Sequence, residues 1–147
     1  MKYYLIFSLF IFACGTQDIH SINNEVKPNW ILNGKKEVNL VDDYGIRYTI
    51  NATDWIQHPQ NKYHILEWNF EENYLIAQND SANFDEKNLF TRIDFMQFQN
   101  MEPFIWGYCL TAFDANSIDD LRSLSSADRN NPKEGCSGYP FSRMKLE

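Results

Sequence analysis

The chain has 147 residues, of which 44% are hydrophobic and 16% aromatic, with 13 Lys and Arg against 20 Asp and Glu. This hydrophobic content excludes an intrinsically disordered chain, and the length fits one compact domain. The net charge of -7, with no basic run longer than Lys35-Lys36, leaves little to neutralise a phosphate backbone. Nucleic acid is therefore not expected as a partner.

The N-terminus carries the parts of a secretory signal peptide. Lys2 precedes an apolar run over residues 3–13, which as a helix would span about 16 Å and could not cross a hydrocarbon core of about 30 Å. The end of this run and the residue after it, Ile11-Phe12-Ala13-Cys14, resemble the lipobox of bacterial lipoproteins. In that family the cysteine is diacylated and becomes the mature N-terminus. An ordinary signal peptide cleaved near Cys14 is the alternative.

The lipobox resemblance implies a domain organisation and a location. Residues 1–13 would be the lipoprotein signal peptide. Cys14 would carry the lipid anchor, which would include a palmitate-type acyl chain. Residues 15–29 are polar and would form a flexible tether, so that the segment 14–29 links the membrane to a single β-rich domain over 30–147. The protein is then expected in the bacterial cell envelope, anchored to a membrane that faces the periplasm or the cell exterior.

The cysteine count fits an exported protein. Lipidation of Cys14 would leave Cys109 and Cys136, and an even pair in an exported chain is most simply a disulfide bond. Closing a loop of about 27 residues would stabilise the fold by about 3.5 kcal/mol on the chain-entropy estimate.

From Trp30 onward, short alternating apolar segments separated by turn residues indicate an antiparallel meander. The pattern predicts about seven strands: Glu37–Val41, Ile46–Asn51, Tyr63–Phe70, Tyr74–Gln78, Leu89–Phe98, Phe104–Phe113 and Tyr139–Leu146.

One short helix is predicted before the last strand. Ser117 and Asp120 have the spacing of a capping box, and Ile118, Leu121 and Leu124 form an apolar stripe that should lie against the sheet.

Several strands are apolar on both faces, which an open sheet with one solvated face would not require. The expected fold is therefore mainly β, with the meander closed into a small barrel or packed as a sandwich. A meander that opens near Trp30 and ends with a helix and one more strand resembles the lipocalin and calycin architecture, including small exported β proteins of unknown function. The lipocalin Gly-x-Trp signature is absent, so the resemblance implies a fold and no binding residues.

Two groups of residues are candidates for ligand binding. Aromatic rings inside a barrel can hold a small apolar or sugar ligand by stacking and area burial, and Trp68, Phe70, Trp106 and Tyr108 are the candidates. The alternative is that these rings fill the core.

Arg92 and Asp94 form the second group because they lie two apart in one strand and share a face. If that face is internal, the pair could orient a ligand carboxylate or hydroxyl. Otherwise the pair faces solvent or bonds only to itself.

No catalytic signature is apparent, and neither an enzyme nor a cofactor is expected. His20, His58 and His64 show no paired metal-ligand spacing and have no cysteine nearby, so no metal site is expected. Adjacent acidic pairs such as Asp42-Asp43 point to opposite faces of a strand, which does not suit paired carboxylate chemistry.

The sequence therefore predicts a non-catalytic, membrane-anchored envelope lipoprotein that binds a small ligand or an envelope component. The alternative is a protein-binding module, such as an inhibitor of a basic enzyme of the lysozyme kind, because an acidic domain attracts a cationic protein.

Overall fold

The computed structural model describes residues 30–32 and 34–147. In this part of the chain, eight strands form a closed antiparallel barrel, and one short helix lies on its outside. The strands are β1 Glu37–Asp42, β2 Arg47–Asn51, β3 Asp54–Gln57, β4 Asn61–Asn69, β5 Tyr74–Asn79, β6 Phe90–Gln97, β7 Trp106–Ala115 and β8 Ser142–Leu146. The helix α1, Ile118–Ser123, precedes β8. Each strand pairs with its neighbours in sequence, and β8 closes the barrel on β1.

The predicted β meander with a helix before the last strand is confirmed, but the strand count differs by one. The sequence pattern missed β3, in which Trp55 is the one fully buried side chain. Four residues are too short to show an alternation, and this strand is defined by its pairing with β2 and β4. The last strand begins at Ser142 and not at Tyr139, because Tyr139 makes only an isolated bridge to Cys136.

The interior of the barrel is packed with large apolar side chains. Trp55 lies edge-to-face against Trp106 and Tyr108, with ring centroids 5.8 and 5.1 Å apart. Trp30, which precedes β1, packs against Phe95 and Trp106 at 5.3 and 6.2 Å. These edge-to-face contacts add to the apolar area that the rings bury.

A bulge in β4 changes which side chains face inward. The register with β5 shifts between Ile65 and Glu67, so that Trp68 and Phe70 pack against the interior cluster together with Tyr63 and Ile65. A strict alternation places these two pairs on opposite faces, and the extra residue of the bulge removes that difference.

Helix α1 covers part of the outer wall. Ser117 caps it as predicted, because its hydroxyl accepts a hydrogen bond from the Asp120 N–H at 3.2 Å. Leu121 is buried against Tyr74 and Ile76 of β5. Leu124, in contrast, is the C-cap residue and is largely exposed, so the predicted apolar stripe is shorter than expected.

The segment after α1 is tied to the barrel by a disulfide bond between Cys109 of β7 and Cys136, as the cysteine pairing predicts. Among the described residues no helix is long and apolar enough to cross a bilayer. The predicted signal peptide over 1–13, the lipidated Cys14 and the tether over 15–29 lie outside the described residues.

Candidate functional site

The four aromatic candidates lie in the barrel interior, in contact with other protein groups. Trp106 is 1% exposed, and its Nε1–H has no hydrogen-bond partner among the described residues. Trp68 stacks on Phe70 with ring centroids 5.3 Å apart, and both rings contact Phe95. The structure thus brings these rings together as part of the packed core.

Tyr108 belongs to a buried hydroxyl network. Its hydroxyl lies 2.7 Å from that of Tyr48, which donates to the Asp42 carboxylate at 2.9 Å. Burial raises the pKa of Tyr108 to about 12, and burial together with Tyr108 raises the pKa of Tyr48 further. Both phenols therefore remain neutral and hydrogen-bonded at physiological pH.

Arg92 and Asp94 lie on the outer face of β6, where α1 and the following segment cover them. They are 1% and 0% exposed. The guanidinium donates to both Asp94 oxygens, at 3.2 and 3.1 Å, and lies over the Tyr74 ring at 4.1 Å from its centroid.

The remaining hydrogen bonds of this pair also go to protein groups. Arg92 donates to the carbonyls of Leu121 and Leu124 at 2.9 and 3.0 Å, which satisfies carbonyls at the C-terminus of α1. Asp94 accepts further bonds from Arg129, at 2.9 Å, and from the Thr111 hydroxyl. The geometry indicates that this pair fastens the helix to the barrel, and it leaves no open face for a ligand.

A cavity of about 310 Å³ opens at the end of the barrel where the β3–β4 turn and the β5–β6 loop lie. We call it the mouth. Its side chains are mostly polar. Five are amides: Gln57, Gln60, Asn61, Asn79 and Asn83. Three are aromatic, Tyr63, Phe84 and Phe113, and the others are Asp85, Glu86 and Leu110.

The mouth exists because β8 is short. β8 pairs only with residues Trp106–Tyr108 of β7. The part of β7 that carries Leu110 and Phe113 therefore has a strand partner on one side, β6, and borders an opening on the other.

Two buried asparagines hold the β5–β6 loop, residues 80–89, at the edge of the mouth. The Asn79 side chain donates to the carbonyls of Glu86 and Phe113 at 2.9 and 2.8 Å. The Asn83 side chain bonds to both the N–H and the carbonyl of Lys62, at 2.8 and 2.9 Å. The loop is thus anchored to β4, β5 and β7 before any ligand binds.

A third contact fixes the start of the loop from outside the barrel. His64 bonds through its two ring nitrogens to Asp54, at 3.1 Å, and to Asp80, at 2.7 Å. The Ala82 N–H and the His64 ring lower the pKa of Asp80. The pKa of Asp54 is lowered as well, because hydrogen bonds from Lys62, Thr53 and His64 outweigh its burial.

Six polar side chains of the mouth form no hydrogen bond to other described residues: Gln57, Gln60, Asn61, Tyr63, Asp85 and Glu86. The carboxylates of Asp85 and Glu86 form no salt bridge there, whereas Asp43, Asp54, Asp80 and Asp94 are all paired. The pKa of the Tyr63 hydroxyl is raised by burial and by the negative charge of Glu86. These groups can therefore form hydrogen bonds with a molecule that enters the cavity.

A larger groove of about 460 Å³ lies on the outer wall and is a weaker candidate. Of its three charged residues, Asp43 and Arg143 bond to each other at 2.8 Å, Arg143 also covers the Phe104 ring, and Lys133 is the third. Few polar groups converge on this groove, whereas a ligand site needs placed polar groups besides apolar area.

Sequence patterns alone do not point to the mouth. The loop over 80–89 reads as an exposed polar connection, and the amides from three other elements become neighbours only when the barrel closes. One signal was present: Phe84 is an aromatic residue in an otherwise polar loop, and its side chain is 80% exposed. In the folded protein Phe84 lines the same cavity as Phe113, so that two exposed apolar rings occur together there.

Within the described ranges, no cluster of three or more His, Cys, Asp or Glu side chains has a geometry that could hold a metal ion. Comparison of the chain with protein-family models, with curated proteins and with solved structures finds no significant match.

Proposed function

We propose that this protein is a non-catalytic binding protein and that its ligand site is the mouth of the barrel. The ligand is small and polar and carries hydroxyl or amide groups, as a mono- or disaccharide does. The observation that carries the proposal is a preformed cavity of about 310 Å³ in which amide side chains and exposed aromatic rings occur together.

The chemistry of the cavity supports a hydroxylated ligand. An amide side chain offers both a donor and an acceptor, so that it can bond to hydroxyl groups in either sense. Phe84 and Phe113, which are 80% and 44% exposed, offer apolar ring surface against which the C–H face of a sugar can pack. The loop is already held by Asn79 and Asn83, so that binding requires little ordering of the chain.

A titration with a panel of neutral sugars, followed by calorimetry and by NMR shifts of the mouth residues, tests the proposal. Saturable binding of at least one sugar with shifts around Phe113 and Asn61 is expected. Phe113→Ala should weaken that binding about fivefold to tenfold, because a ring contact contributes about 1 kcal/mol or more.

Tyr139→Ala is the matched control. Tyr139 is a more exposed aromatic residue, 72% accessible against 44% for Phe113, and it lies on the segment after α1, away from the mouth. Its removal should leave sugar binding unchanged. Absence of saturable binding across the panel, or equal losses in the two variants, would contradict the proposal.

We further propose that the domain is tethered to an envelope membrane through a lipid on Cys14. The support is the lipobox-like sequence over residues 11–14. Mass spectrometry of the membrane fraction should find the mature chain starting at a diacylated Cys14, and Cys14→Ser should release the protein from that fraction. An unmodified Cys14 thiol in uncleaved, cytosolic protein would contradict the anchor and leave the binding proposal unaffected.

A further inference from the structure

The charge of the mouth is of one sign. Its lining includes two carboxylates, Asp85 and Glu86, and no Lys, Arg or His. Neither carboxylate pairs with a cation in the described part of the chain, whereas Asp43, Asp54 and Asp94 each bond to a basic side chain. Because two carboxylates and no basic side chain line the cavity, its potential is negative and attracts cations.

Tyr63 provides a second observation on this potential. The side chain is 8% exposed and lines the cavity, and the charge of Glu86 contributes to the raised pKa of its phenol. The Tyr63 phenol and Glu86 therefore line the same cavity, and the carboxylate is near enough for its charge to act on the phenol. A positive group bound beside Tyr63 would lie in the same field.

The aromatic rings fit the same kind of ligand. The faces of Phe and Tyr rings carry partial negative charge and attract ammonium groups placed over them. Two phenylalanines at the opening and one tyrosine beneath them surround the space next to Glu86. Amides, carboxylates and ring faces together match a molecule that has hydroxyl groups and an ammonium group.

We propose that the mouth takes a cationic ligand, a polyhydroxylated amine of the amino-sugar class, in preference to a neutral sugar. The inference rests on the proposed function, since it assigns the ligand class of the same site. Asp85 and Glu86 select the ammonium group, and the amide side chains bind the hydroxyl groups.

Three sugars of the same ring size test the preference: glucosamine with its amine protonated, glucose, and N-acetylglucosamine. Calorimetry at low salt should give a dissociation constant for glucosamine about fivefold or more below the other two, as expected for an ammonium group near two partly solvated carboxylates. Added salt should reduce the affinity advantage of glucosamine, because salt screens exposed charges. It should leave the affinities of the two neutral sugars unaffected.

Two matched variants locate the effect. Glu86→Gln keeps the size of the side chain and should reduce the ratio of the glucosamine affinity to the glucose affinity, because it removes one of the two carboxylates that attract the ammonium group. Glu71→Gln removes an exposed carboxylate from the β4–β5 turn at the opposite end of the barrel and should leave the ratio unchanged. Thermal unfolding of both variants verifies that they remain folded.

The outcomes distinguish the two proposals. Equal affinity for all three sugars, or a glucosamine preference that Glu86→Gln leaves intact, overturns the cationic ligand class while the binding function stands. No saturable binding of any of the three contradicts both.

Discussion

Two regions of this barrel contain acidic side chains that differ strongly in how many hydrogen bonds and ion pairs they form. Asp94, beneath α1, is fully buried and bonds to Arg92, Arg129 and Thr111. Asp85 and Glu86, at the mouth, line a cavity without any basic residue. A buried charge pair is thus no sign of a ligand site here, because its hydrogen-bonding capacity is already used. The half-exposed, unpaired carboxylates are the groups that remain able to bind.

Removal of Asp94 should have the largest effect on stability. Asp94→Asn would leave the buried Arg92 guanidinium without its counter-ion, and breaking one side of a buried pair costs about 3–5 kcal/mol. Urea unfolding measures the loss. Asp85→Asn, at the mouth, should change the free energy of unfolding by less than about 0.5 kcal/mol. Similar losses for the two variants would remove the distinction between the regions.

Removal of the disulfide bond should loosen the segment after α1, which covers Arg92 and Asp94, and leave the mouth in place. Cys109→Ala combined with Cys136→Ala opens a loop with a sequence separation of 27 residues and should cost about 3.5 kcal/mol. Hydrogen exchange should rise mainly in the segment over 124–141 and around Arg92. We expect little change at the mouth, whose loop is held by Asn79 and Asn83. Faster exchange confined to the β5–β6 loop would contradict this assignment.

The buried phenol of Tyr108 predicts that the stability of the protein falls at alkaline pH. Tyr108 has a pKa of about 12 in the folded protein, against 10.0 for a tyrosine in an unfolded chain. The unfolded chain therefore releases this proton at lower pH, so its contribution is complete below about pH 10 and is lost as the pH rises toward about 12. The difference corresponds to about 2–3 kcal/mol.

Unfolding free energies measured at a series of pH values should fall less steeply above about pH 10 in Tyr108→Phe than in the parent protein. Tyr44→Phe is the control, because Tyr44 is 68% exposed. Parallel curves for the parent and the Tyr108 variant would show that folding does not raise the pKa of this phenol.

Local signals in the sequence account for much of the fold. The capping pattern at Ser117 predicts the start of α1, and Asp42 in the first turn accepts the N–H groups of Tyr44 and Ile46, as turn chemistry suggests. Alternation locates most strands. It fails at β3, which is too short, and in β4, where the bulge after Ile65 moves Trp68 to the inner face.

The candidate site could not be predicted in the same way, because it depends on contacts between distant elements. Arg92 and Asp94 share a face, as their spacing requires, but only the position of α1 decides that this outer face is buried. The mouth depends on how far β8 extends along β7, a register that no short sequence pattern encodes. Only Phe84, by its type and its polar neighbours, pointed toward that region.

The smallest predicted effect concerns the backbone of the mouth. Glu86 has a φ of 48°, in the left-handed region that costs a residue with a Cβ about 1–2 kcal/mol relative to its usual conformations. Glu86→Gly would remove that conformational cost. Glycine also raises the conformational entropy of the unfolded chain, which opposes folding, so the net stabilisation should be about 0.5 kcal/mol. Ser81→Gly, at an exposed loop position without positive φ, should instead destabilise slightly.

Thermal and urea unfolding of the two glycine variants measure this difference. If Glu86→Gly is more stable than the parent and has also lost the preference for glucosamine, the strained glutamate serves the ligand at the expense of the fold, as strained residues at binding sites commonly do. A destabilised Glu86→Gly variant would mean that the Glu86 side chain stabilises the loop. The mouth would then resemble the region under α1, where the charged side chains serve the fold.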